Sequence, residues 1–254
     1  MVRAVLFDLD DTLFDHRHCA RCALAGVREA QACLQAVDLE ALERQHADIL
    51  ETLHLEVVAG RLGLDDARVE RFRRLYAAAG AEADAEAAAR TASMYRQLYL
   101  AARREISGAT ALLREVQKRA TAVVVSNNLL QEQQAKLRHC GLAPFVDLLV
   151  VSEEVGVSKP DPRIFEVALE RAGCTAGEAV MIGDSWTNDV EGARAAGIRA
   201  IWFDRDGGTP ADTSIEVVRS LEPTADVLAV IFGGQGRRTG GPAPTTSRAS
   251  ARRS

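Results

Sequence analysis

The chain is short of several things, and each shortage closes a class of function. No stretch approaches the ~18 consecutive apolar residues that a membrane-spanning helix needs. No basic segment precedes an apolar one at the N-terminus; Val2–Phe7 is brief and runs straight into aspartates, so no signal peptide is predicted and a cytoplasmic location is expected. Only five cysteines occur in 254 residues (Cys19, Cys22, Cys33, Cys140, Cys174), an odd number that suits reduced thiols better than a disulfide framework. Cys19 and Cys22 make one CxxC pair in HRHCARC, without a second pair at a structural zinc spacing, so zinc is not expected. Aromatic residues are sparse at 5%, whereas alanine is used heavily, above all across 77–92. Acids are missing from the last stretch: residues 233–254 hold five arginines and no carboxylate. A tail of +5 on a chain of formal charge −5 leaves −10 on the remainder, which argues against nucleic-acid binding by the folded part. Rich in Gly, Pro, Ser and Thr, the basic tail 233–254 is expected to be disordered and solvated.

What is present is ordered strand by strand. Val2, Ala4, Val5, Leu6 and Phe7 form a short apolar run that reads as a buried strand of a parallel sheet. It ends in three acids out of four residues, Asp8, Asp10 and Asp11, where ligands bind in open α/β sheets. Two carboxylates at a spacing of two share a face of an extended chain, which is costly unless a cation or a shared proton relieves the repulsion. From Asp15 to about Arg104 only helical spacing recurs, as in Ala23, Leu24, Val27, Ala30 and Leu34. This predicts a helical insertion of about ninety residues (15–104). Strand and helix patterns then alternate, with strands at Thr121–Val125, Val146–Val151, Glu178–Ile182 and Arg199–Phe203. The expected architecture is α/β: a doubly wound parallel sheet formed by 1–14 and 105–232, interrupted after its first strand by a helical cap.

The strand ends gather a chemically complete set. The first brings Asp8 and Asp10, the second Ser126 and Asn127, the third is followed by Lys159, and the fourth brings Asp184 and Asp189. Each alone has a plainer reading as a helix cap, a turn or a surface lysine.

The ordered set DLDDT, VVSNN, SKPDP and GDSWTND, each after a strand, resembles the haloacid dehalogenase superfamily, in its subfamily with an α-helical cap. VSNNLLQEQQAKLRHCGL, VSEEVGVSKPDPRIF and GDSWTNDVEGARAAGI look most like the branch of pyrimidine 5′-nucleotidases and N-acylneuraminate-9-phosphatases. The resemblance implies a Rossmann-like core and a Mg²⁺-dependent phosphatase acting on a small phosphorylated metabolite, a nucleoside monophosphate or a sugar or glycolate phosphate. It implies Asp8 as the nucleophile that becomes an aspartyl-phosphate. Asp8, Asp184 and the backbone carbonyl of Asp10 would hold Mg²⁺, and Asp189 would support the metal shell or Lys159. Ser126 and Lys159 would hold the transferring phosphoryl group.

Asp10 bears on the reaction class. An alkoxide leaving group needs a proton, and a carboxylic acid two residues from the nucleophile can give it, provided that its pKa is raised, the direction in which Asp8 pushes it. Halide needs no such acid, so Asp10 favours a phosphatase over a 2-haloacid dehalogenase. A phosphomutase would release no phosphate, and a non-catalytic member of the fold would tolerate loss of one of these residues, none of which is missing. Four further positions are candidates for substrate contact: Asn127 beside Ser126, His16 and Arg17 where the cap begins, and Trp186 near Asp184, as a stacking surface or a rim.

Overall fold

The computed structural model describes residues 1–82 and 84–233. Six strands form one parallel sheet: β1 (Ala4–Phe7), β2 (Thr121–Ser126), β3 (Leu148–Val151), β4 (Ala179–Gly183), β5 (Arg199–Phe203) and β6 (Glu216–Val218), in spatial order β3-β2-β1-β4-β5-β6. The order runs outward in both directions from β1, so the topological switch point falls at the strand that delivers Asp8.

Alternation along β1 feeds two cores. Val5 and Phe7 pack on one face with α6 (Ala109–Gln117) and α11 (Thr224–Gly233). Ala4 and Leu6 pack on the other with α9 (Pro162–Ala172) and α10 (Gly192–Ala195). All four strand residues are fully buried, as expected of a central strand covered on both faces. The sheet is therefore doubly wound, as its sequence pattern predicts.

Between β1 and α6 lie five helices: α1 (His16–Ala30), α2 (Ala32–Gln35), α3 (Leu39–Val58), α4 (Leu64–Ala78) and α5 (Ala85–Ala101). They bury a third core of their own, with Leu24, Leu34, Leu42, Phe72, Leu75 and Tyr95 among its members. The caps are visible in the sequence. Asp38 accepts from the Ala41 N–H at the start of α3, and Asp84 from the Ala87 N–H at the start of α5.

After β4 the chain makes a wide π-type turn, Trp186–Glu191, followed by the single turn of α10. The Val190 N–H reaches the Ser185 carbonyl, one residue farther back than an α-helix allows. β6 and α8 (Ser152–Val155) are too short to leave a periodic signal. The basic tail lies outside the described residues except for Gly233, which closes α11. Among the described residues no helix is long and apolar enough to cross a membrane.

Candidate active site

Four strand ends converge on one buried group of side chains. Asp8 follows β1 directly, with its N–H donating to the Ile182 carbonyl at 2.9 Å, so its backbone is still held by the sheet. Its Oδ1 accepts from Lys159 Nζ at 2.6 Å. Lys159 uses all three ammonium hydrogens: on Asp8, on Asp189 Oδ1 at 2.7 Å and on the Val125 carbonyl at 2.8 Å. It is buried, and although burial opposes its charge, the carboxylates of Asp189 and Asp8 hold the ammonium form and push its pKa up.

Asp189 is spoken for at both oxygens, since Oδ2 accepts from the Ser185 N–H at 3.0 Å. It packs so tightly under β4 that a Cβ on Gly183 would collide with its carboxylate. The wide turn at 186–191 is what swings Asp189 back beneath the strand end. Asp184 follows β4, near Thr12 Oγ1 at 3.5 Å, and its carbonyl accepts from Trp202 Nε1 at 2.8 Å.

Carboxylate oxygens of Asp8, Asp184 and Asp189 lie within 4.8 Å of one another. Burial first, then the neighbouring acids, push the Asp184 carboxyl up to about 7. The same causes raise Asp8 well above its usual range, against the pull of Lys159. One ammonium among three acids, Asp8 and Asp189 buried and Asp184 half-buried, leaves negative charge in excess, and the donors are hard oxygens. The arrangement fits a small divalent cation.

Ser126 ends β2, buried, and its Oγ accepts from Gln133 Nε2 at 2.5 Å. Asn127 was predicted to meet substrate, but its side chain has another task. Oδ1 accepts from the Lys159 N–H at 2.6 Å and Nδ2 donates to the Lys159 carbonyl at 2.8 Å. The amide clamps the backbone that carries the lysine, and Asn127 also lines the cavity, with its carbonyl 2.7 Å from His54 Nε2.

The Asp10 carboxylate turns away from Asp8 towards α7 (Leu130–His139). Lys136 Nζ donates to both its oxygens at 2.6 and 2.8 Å, and Gln133 Nε2 donates to Oδ2 at 2.9 Å. Burial alone would raise its pKa; Lys136, His16 and the Gln133 hydrogen bond together outweigh burial and hold the carboxyl well below the usual range. The upward push expected from Asp8 is thus overridden by a lysine ten residues beyond Ser126. Between them, the Leu9 carbonyl accepts from the Leu13 and Phe14 N–H groups at 2.9 and 2.8 Å. The tight loop is closed by Asp11 at φ 66°, a left-handed conformation that aspartate tolerates better than most residues.

A cavity of about 370 Å³ separates these strand ends from the helical layer. Asp10, Asn128 and Lys136 line its floor, with His16, Arg71, Tyr95 and Tyr99 among its other walls. His16 is there, with Nδ1 and the Tyr99 hydroxyl 2.7 Å apart. Arg17 is not on the cavity wall. Successive helical residues point about 100° apart, and Arg17 pairs instead with Asp11 at 3.7 Å and Asp206 at 2.5 Å. Trp186 also misses the cavity: its ring packs edge-on against Trp202 at 5.3 Å and its Nε1 donates to Glu191.

Sequence reasoning overlooked Lys136, Gln133 and Arg71. Gln133 and Lys136 stand three apart on α7, hence on one face, and both are polar yet buried; that pairing was the available signal.

A doubly wound sheet whose strand ends gather an acid cluster around a buried lysine, beneath a helical layer, defines a class of hydrolase. Residues 2–197 match the haloacid dehalogenase-like hydrolases, and the chain belongs to that family. It is similar to YfnB of Bacillus subtilis, a HAD-hydrolase, with 30% identity covering 90% of this chain and 96% of that one. The crystal structure of YfnB bound to magnesium superposes with a TM-score of 0.71 at 29% identity, covering 89% and 98% of the two chains. The ribulose-1,5-bisphosphate 5-phosphatase of Halopiger xanaduensis is 31% identical over 85% of this chain and 90% of its own. The pyrimidine 5′-nucleotidase PynA of Streptococcus pneumoniae is 28% identical over 78% and 82%. The protein is thus a hydrolase of the haloacid dehalogenase family with phosphatases among its relatives.

Proposed function

We propose that this protein is a Mg²⁺-dependent phosphomonoesterase that works through a phosphorylated Asp8 on a small metabolite. The observation that carries the reading is Asp8 itself: a carboxylate at the end of the central strand, 2.6 Å from a buried lysine and grouped with two further acids.

Asp8, Asp184 and the Asp10 carbonyl are the groups to hold the cation, with Asp189 holding Lys159 beside them. When bound, Mg²⁺ supplies the positive charge that lets an anionic nucleophile approach a phosphate dianion. Lys159 adds a fixed charge at the same place, kept in position by Asp189, Val125 and the Asn127 clamp. Ser126 donates its hydroxyl to a phosphoryl oxygen while Gln133 holds its Oγ. An Asp8 oxygen attacks phosphorus, the P–O bond to the leaving group breaks, and its electron pair leaves with the alkoxide.

Asp10 is the proton carrier. Ionised beside Lys136, it is the base for the water that attacks the aspartyl-phosphate and so restores Asp8. The proton that it takes up there is available to a leaving alkoxide in the next turnover. The helical layer over the cavity acts as the cap that screens the intermediate from water and opens between steps.

A single turnover in ¹⁸O-water tests the reading. Attack of labelled water at phosphorus breaks the P–O bond to Asp8, sends the label into phosphate and leaves the carboxylate unlabelled. Attack at the Asp8 carboxyl carbon, the route of an ester hydrolysed at carbon, puts ¹⁸O into Asp8. Phosphate release with label in phosphate, together with a trapped phosphoryl group on the Asp8 peptide after acid quench, is the expected result. Release of phosphate with no phosphoryl group ever recovered on Asp8 overturns it.

A further inference from the structure

The charged groups around the cavity are mostly matched. Asp10 is held by Lys136, and Glu132 accepts from both Arg68 and Arg96 at 3.0 and 3.2 Å. Glu51, the remaining acid on the wall, is exposed. Arg71 on α4 stands apart. It is 9% exposed, lines the cavity, and makes no hydrogen bond or ion pair with any described residue; its Nε is buried without a partner.

Its guanidinium lies 4.7 Å from the centroid of the Tyr95 ring and 5.2 Å from that of Phe72. These rings hold the plane in place and favour the cation, but they offer no acceptor for its five N–H groups. A buried charge without a hydrogen-bonding counterion is costly, and folded proteins rarely retain one. Arg68 and Arg96, on the same wall, add to the positive field. The cost is relieved if an anion arrives in the cavity, and a planar two-pronged donor suits carboxylate or phosphate oxygens.

That anion is not the phosphoryl group being transferred, whose partners are Lys159 and Ser126 at the strand ends. We infer that the substrate carries a second anionic group on its leaving-group end, a carboxylate or another phosphate, and that Arg71 binds it. The inference rests on the phosphatase reading and narrows it. An uncharged nucleoside as leaving group would bring Arg71 no counterion, so nucleoside monophosphates become the poorer class of substrate.

Three esters that differ only at the far end provide the test, with p-nitrophenyl phosphate as the activity control. Glycerol 3-phosphate ends in a hydroxyl, 3-phosphoglycerate in a carboxylate and glycerol 1,3-bisphosphate in a second phosphate. We expect kcat/KM for one or both anionic esters to exceed that for glycerol 3-phosphate at least tenfold, and the favoured ester identifies the anion. In Arg71→Gln that ratio should fall to within about threefold of unity, with the loss carried by KM, and Arg71→Lys should restore part of it. Hydrolysis of p-nitrophenyl phosphate without an anionic preference in the wild type overturns this inference and leaves the phosphatase reading standing. So does a preference that survives in folded Arg71→Gln. Failure to hydrolyse any of the four esters overturns the phosphatase reading, and this inference with it.

Discussion

At the strand ends Lys159 gives every ammonium hydrogen to an acceptor, Asp189 accepts at both oxygens, and Asn127 holds the lysine backbone at two points. In the helical layer, Arg71 Nε, on the cavity wall, and His46 Nε2, packed behind it against Tyr95 and Phe72, are buried without partners. The contrast separates two tasks. Groups that meet the reacting atoms are fixed before substrate arrives, because a network already in place need not reorganise as charge develops. Groups that meet the variable part of a substrate are left incomplete, and the ligand completes them. Under the proposed function, the reacting groups sit on the sheet and the groups that choose the substrate sit on the helices.

The sharpest way to break this comparison is to change the sheet end. Asp8→Asn keeps the size and one acceptor of the side chain but loses the charge that attacks phosphorus and draws Lys159. Turnover should fall by at least about 10³-fold, the scale set by loss of a covalent nucleophile, with the fold retained. Steady-state phosphate release and circular dichroism together check it. A variant that keeps more than a few per cent of the wild-type rate removes Asp8 as the nucleophile.

Asp10 stands between the two regions, and its role is read through the leaving group. Asp10→Asn cannot carry a proton, so hydrolysis of an alkyl phosphate should drop by roughly 10²- to 10⁴-fold. p-Nitrophenolate leaves without protonation, and its ester should suffer at least about tenfold less in that step. Equal losses on the two esters would instead mean that Asp10 only shapes the loop, through Lys136 and Gln133.

Much of the sheet end was legible because its residues are announced by their neighbours. Asp8, Ser126 and Asp184 each follow a run of buried apolar residues, and Lys159 stands just ahead of the capped start of α9. The helical side gave no such signal. Arg71 occupies an ordinary position in a charged, amphipathic α4, and only the packing of α4 against α5 puts it over Tyr95. Arg17 and Trp186 misled for a related reason. A place where the cap begins, or beside Asp184, said nothing about which side of a turn each would face, and neither lines the cavity. Lys136 was missed because a lysine within a polar helix reads as solvated until the floor beneath it is known.

The smallest predicted effect probes the helical side through pH. His46 on α3 is 2% exposed and packs against the rings of Tyr95 at 4.9 Å on α5 and Phe72 at 6.2 Å on α4. Burial first, then the charge of Arg71 and the nearby His16, hold its pKa well below the ordinary 6.5. The folded protein therefore keeps His46 neutral, whereas the unfolded chain takes up a proton below pH 6.5. Stability from this group is fully present above 6.5 and is lost as the pH falls, by up to about 1.4 kcal/mol per pH unit until the folded pKa is reached. Thermal melts from pH 7.5 to pH 5 should show the melting temperature of the wild type falling more steeply than that of His46→Leu. His16, which is also held low, is present in both proteins, so the difference in slope reads His46 and its coupling to His16. Parallel slopes would mean that His46 is protonated in the folded state, which requires an acceptor and a route for water beside Arg71. The helical side would then be as fully satisfied as the strand ends, and the division of labour between the two regions would fail.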